Sequence, residues 1–152
     1  MEEARIRHLE MIQAVIARMA QNSFAYKGWA ITLVSAALAL AAAQTASAVQ
    51  AAALNPARMY LLIALAACLA FWGLDGYYLY QERLFRRHYD AVRRAGLEEW
   101  QRNPFSMDTA LYACEEKWLA VCFRRAVAGL HVPLALVVIA AAVILVYMRI
   151  PQ

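Results

Sequence analysis

The sequence predicts an all-α fold: a helical integral membrane protein with three transmembrane helices, N-terminus inside and C-terminus outside, carrying a cytoplasmic helical collar. Three observations predict it. Of the 152 residues, 64% are hydrophobic and the mean hydropathy is +0.46, where soluble domains are roughly half apolar. Three apolar runs approach or exceed the roughly 20 residues needed to cross a bilayer. Finally, Arg58 and Arg149 are the only members of the 15 Lys and Arg that lie outside two segments, 5–27 and 83–125. The length fits a single domain.

The N-terminal segment, 4–26, reads as an amphipathic cytoplasmic helix. Leu9, Ile12, Ile16 and Met19 recur at three and four, the spacing of a helix–helix seam. The seam is too short for an independent coiled coil, so it is expected to pack on another part of this chain or on a second copy. No short apolar core followed by a small-residue cleavage site opens the chain. The membrane segments are therefore expected to be retained.

The first span is read over 28–50. It begins with "GWAITLVSAALALAAA" and continues into a more polar half. Small residues fall every fourth position at Ser35, Ala39, Ala43, Ser47 and Ala51, a pattern that lets helices approach closely. Thr32, Ser35, Gln44, Thr45 and Ser47 make this the most polar span and the candidate for helix packing or for lining an oligomeric pore. A rival reading treats this run as a membrane-surface or buried helix and leaves two spans. Asn55-Pro56 is a turn signal, so the first two spans are expected to form an antiparallel hairpin.

The second span covers 59–80 and is expected to continue as a cytoplasmic helix to about residue 95. Phe85, Tyr89 and Val92 keep helical spacing, and Gly96 is a stop signal. Asn103-Pro104 breaks the chain. A helix is expected over 107–125, capped by Ser106 or Asp108, with Leu111, Cys114, Trp118 and Val121 on one stripe. It is expected to lead into the third span, 126–148. With most cations in 5–27 and 83–125, the positive-inside rule puts the N-terminus in the cytoplasm. Trp29, Tyr77, Tyr78 and Tyr80 fall at the expected inner interface, and Tyr60 and Tyr147 at the outer one.

Motifs for catalysis are missing from the sequence: no P-loop, GxGxxG, GxSxG or HExxH. The chain is therefore read as non-enzymatic and without a cofactor. Were it a lipid-directed enzyme, Asp75, His88 and Asp90 would be its candidates. Cys68, Cys114 and Cys122 lack zinc-site spacing and read as reduced thiols. The net charge is +4 with a pI of about 9.1. The cluster Arg83, Arg86, Arg87, Arg93 and Arg94 reads as a topology signal or a contact for lipid or a partner protein, in preference to nucleic acid.

Two ionisable residues fall inside spans. Asp75 lies about 24 Å along the second helix from Met59, within one or two turns of the inner interface. It needs a partner there, and Lys27, Arg124 and Arg125 are expected at similar depth. His131 lies about one turn inside the third span, two residues before Pro133, and reads as an interhelical hydrogen-bonding group.

The helix "LEMIQAVIARMAQNSFAYKGW" leads into a small-residue hairpin, and the second span leaves the membrane through an aromatic, Arg- and Glu-rich helix. Over roughly residues 5–100 this layout resembles the small SLATT-like membrane effectors of bacterial antiphage and nucleotide-signalling systems. The resemblance implies a multi-pass protein of the bacterial inner membrane that forms homo-oligomers. It implies disruption of that membrane, in antiviral defence, when a cytoplasmic sensor fires. The alternative is a membrane scaffold or accessory subunit that anchors a cytoplasmic partner through its basic collar.

Overall fold

Glu2 and Glu3 open a helix that does not stop for 45 residues. The computed structural model describes residues 2–46, 56–114 and 116–147. The first helix, α1, is Glu2–Ala46, so the amphipathic arm and the first apolar run are one continuous rod. The two acids in its first turn complement the helix dipole. α2 is Pro56–Arg94; proline suits a first helical position, and Arg93 and Arg94 suit the last turn. Gly96 separates α2 from α3, Leu97–Gln101.

The helix expected over 107–125 is not continuous. Its residues form two short helices, α4 (Ala110–Ala113) and α5 (Trp118–Cys122). The physical reason lies at Glu116, which is drawn under α2 by Arg83 and Arg87, while Lys117 takes an extended backbone. The expected stripe is lost with it: Leu111 is 80% exposed and Val121 fully buried. Asp108 still serves the start of α4, accepting the Ala110 N–H at 2.8 Å. A further break at Phe123 precedes α6, Arg125–Tyr147, which continues through Pro133.

α1 and α2 run antiparallel along one long seam. The buried or half-buried residues of α1 include His8, Ile12, Ile16, Met19, Ser23, Lys27, Ala30, Val34, Ala37 and Ala41. Their three- and four-residue steps hold one face on α2 throughout. The arm's seam thus packs within the chain: Ile12 lies with Val92 and Trp100, with Leu9, Ile16, Phe85 and Tyr89 around them.

In the apolar half, Val34, Ala37, Ala64, Cys68 and Val138 form one buried cluster, and Ala41, Ala57, Leu61 and Leu145 another. Both draw on α1, α2 and α6. Many of these residues are alanines, which bring helix axes close enough for dense van der Waals contact, the main attraction available between helices in lipid. α1, α2 and α6 are each long and apolar enough to cross a membrane.

Candidate functional site

Asp75 is completely buried where α1, α2 and α6 meet. A carboxylate there is tolerable only when paired and hydrogen-bonded. Lys27 Nζ lies 2.7 Å from Asp75 Oδ1 and also donates to Ser23 Oγ at 2.9 Å. Ser23 donates its hydroxyl proton to the same Asp75 oxygen. His131 Nε2, fully buried on α6, lies 3.2 Å from the other oxygen, Oδ2. A carboxylate only accepts, so the proton sits on Nε2. The Nδ1 atom is buried without a hydrogen-bond partner among the described residues.

A lid of aromatic and backbone groups closes the cluster. Trp72 lies nearly parallel to the His131 ring, 7° away, and donates its indole N–H to the Cys122 carbonyl at 2.8 Å. Cys122 crosses α2 directly over Gly76. A Cβ on Gly76 would meet Cys122 Sγ at 2.3 Å, so only glycine permits this approach. Trp118 adds a bond to the Gly73 carbonyl at 3.3 Å. The two glycines of α2 therefore mark where α5 docks, one on each side of Asp75.

Beyond this cluster toward the charged end, the arginines of α2 divide among three carboxylates. Arg83 and Arg87 bond Glu116 Oε1 at 2.7 and 2.9 Å. Arg86 pairs with Glu82 at 2.7 Å on the next turn, while Arg93 and Arg94 flank Asp90 at 3.4 and 3.9 Å. Arg124 stands 3.8 Å from the second oxygen of Glu116. The Arg83 hydrogen bonds, with Arg124 and Arg87 nearby, hold the Glu116 carboxyl below the usual carboxylate range.

At the far charged end, His8 and His88 both place Nε2 against the Ser106 carbonyl, at 2.8 and 2.7 Å. A carbonyl cannot donate, so both rings carry the proton on Nε2. The Nδ1 atom of His8 accepts from Trp100 Nε1 at 3.0 Å. These bonds fasten the 102–109 connection to α1 and α2. Phe105 in that connection has φ of 58°, unusual without glycine, and its ring packs on His8 and Trp100. Asp90 faces neither His88 nor Asp75 in any of these contacts; it pairs with Arg93 and Arg94.

The polar set of the first span separates. At 100° per residue, Thr32, Ser35 and Ala39 lie opposite the buried face of Ala30, Val34, Ala37 and Ala41, and are exposed. Thr32 returns its hydroxyl to the Gly28 carbonyl at 3.0 Å. Gln44 and Thr45 are exposed but turn toward the flanks of the packed face, and Thr45 lines a cleft with Leu38, Ala57 and Leu145. Ser47 lies outside the described residues.

Ser23, Trp72 and Trp100 were not legible as site residues one by one. Ser23 had a signal: it continues the Leu9–Met19 seam and sits one turn before Lys27, a polar group on a packed stripe. Compared with known proteins, the chain matches no family model, no curated protein and no solved structure.

Proposed function

We propose that the protein is a non-enzymatic inner-membrane effector that self-associates through the outer face of α1 and permeabilises the bilayer as an assembly. The carrying observation is the face opposite the α1–α2 seam. Gly28, Thr32, Ser35 and Ala39 are exposed there, and a Cβ at Gly28 would meet nothing within 4 Å. In a bilayer, small residues on such a strip invite a second helix, and hydroxyls there can bond across to it. A three-helix protomer encloses no channel, so conduction requires several copies. The distribution of Lys and Arg supports the N-inside orientation, and the SLATT-like layout of residues 5–100 supplies the setting, antiviral defence in a bacterial membrane.

Induced expression with a potential-sensitive dye tests this reading, alongside cysteine cross-linking at position 35. Depolarisation together with a cross-linked dimer that depends on Ser35→Cys is the expected result. Intact potential under every trigger and a monomeric protein would overturn it.

A second reading has its own observation. Leu97, Phe105 and Leu111 are exposed in the charged half, a surface that favours anchoring a partner protein. A stoichiometric partner purifying with a protein that forms no homo-oligomer would favour that scaffold function.

A further inference from the structure

Residues 114–125 carry two features that the self-association reading does not use. One is an excess of cations around a single buried acid. Arg83 reaches Glu116 Oε1 through Nε at 3.1 Å and Nη2 at 2.7 Å, and Arg87 adds a third bond to the same oxygen at 2.9 Å. Among the described residues Oε2 faces Arg124, at 3.8 Å, beyond hydrogen-bond length. The Arg124 side chain is 47% exposed, so its donors are available outside the ion pair. Lys117 and Arg125 are exposed nearby. With Glu115 counted alongside Glu116, the cations Arg83, Arg87, Lys117, Arg124 and Arg125 still outnumber the acids.

The other feature is apolar. Trp118, Leu119 and Phe123 are 42%, 63% and 67% exposed on and just after α5. α5 is held on α2 at Gly73 and Gly76. That level is about 28 Å along α2 from Pro56, close to the roughly 30 Å thickness of the hydrocarbon core. An exposed tryptophan and phenylalanine at this depth belong at the boundary of acyl chains and headgroups. Arg83 lies about 12 Å further along the same helix, at the level of lipid phosphates.

We propose that Arg83, Arg87 and Arg124 form a binding site for the phosphate of an anionic phospholipid, with the apolar side of α5 lying in the bilayer beneath it. Guanidinium groups suit phosphate because their donors match its oxygens in pairs. Glu116 positions two of the three arginines and weakens the site by its own charge. The proposal rests on the membrane orientation given above, and self-association is read by a separate assay, so failure of one is distinguishable from failure of the other.

The test uses the full chain in detergent, offered equal phosphatidylglycerol and phosphatidylcholine, with lipid retention read by native mass spectrometry. Preferential retention of phosphatidylglycerol is expected. Arg124→Gln should lower the preference about fivefold, the equivalent of roughly 1 kcal/mol per surface arginine, while Arg124→Lys should keep part of it. Glu116→Gln should raise the preference, a sign opposite to that of a merely structural loss. Thermal melting of each variant verifies its fold, and the Arg124 pair carries the test if the Glu116 variant does not fold. Equal retention of the two lipids, or an unchanged preference in Arg124→Gln, would overturn the proposal. So would complete displacement of the lipid by inorganic phosphate, which would identify a free anion as the ligand.

Discussion

Trp72 lies almost parallel to His131, with ring centroids 6.2 Å apart, and at the same time bonds the Cys122 carbonyl. One side chain of α2 therefore links the only buried histidine of α6 to the short helix α5. Trp72→Phe keeps a ring over His131 and removes the indole donor. The loss should be about 1 kcal/mol, and Cys122, now 6% exposed, should react faster with a maleimide probe. Unchanged labelling would show that the bond does not hold α5 down.

Asp75→Ala should be far more damaging. It leaves Lys27 and Ser23 facing an apolar gap and removes the partner of His131. Breaking a buried pair from one side costs about 3–5 kcal/mol, read as a fall in the thermal midpoint in detergent. Lys27→Met combined with Asp75→Asn should recover part of that loss, because neither charge is then stranded. A double variant as unstable as the sum of its parts would show that the two residues act independently.

Gly76→Ala places a methyl group where Cys122 Sγ now sits. Either α5 or α2 must move, at about 1–3 kcal/mol for such overpacking. The displacement should expose Trp118, red-shifting tryptophan fluorescence in detergent. Gly129→Ala, with open space around its Cβ, is the control and should leave the spectrum unchanged.

Acid should loosen the packing around Glu116. Its folded pKa is depressed, chiefly by the Arg83 hydrogen bonds, from an ordinary value of 4.5. A depressed carboxylate contributes stability that is fully present above its unfolded pKa and is lost as pH falls through the folded one. Stability should therefore hold down to about pH 5 and decline below the ordinary carboxylate range. Glu116→Gln should flatten that decline in a pH series of melting curves, and a wild-type slope in the variant would refute the assignment.

Ser35→Leu tests the outer face of α1. Ser35 touches none of the buried clusters, so the protomer should keep its stability within about 0.5 kcal/mol. Its self-association should fall, seen as loss of higher oligomers in native mass spectra. Ala37→Leu, on the packed face, should do the reverse and unfold the protomer.

Periodicity made the three long helices and the α1 seam legible, because a packed stripe repeats wherever a helix meets one neighbour. Phe85, Tyr89 and Val92 lie against that seam as their spacing implied. Asp75 was recognisable as needing a cation, since a lone carboxylate in an apolar run has few alternatives. That Lys27 supplies it, and Arg124 does not, depends on how α1 is rotated, which no local pattern states. The break inside 107–125 was hidden for a related reason. Its residues have ordinary helix propensity, and the force that ends the helix comes from Arg83 and Arg87, some 30 residues earlier in the sequence. The histidine pair on Ser106 was equally invisible, because it joins residues 98 and 18 positions apart.

The uninterrupted length of α1 has a mechanical consequence. A helix of 45 residues is about 68 Å long, and it runs from Glu2 to Ala46 without a proline, with Gly28 its single glycine. Its ion pair with α2, Lys27 on Asp75, falls just past the middle. The seam with α2 continues on both sides of that pair, from Ile12 against Val92 to Ala41 against Ala57 and Leu61, so a push on the first turns of the rod should be carried by α1 and α2 together.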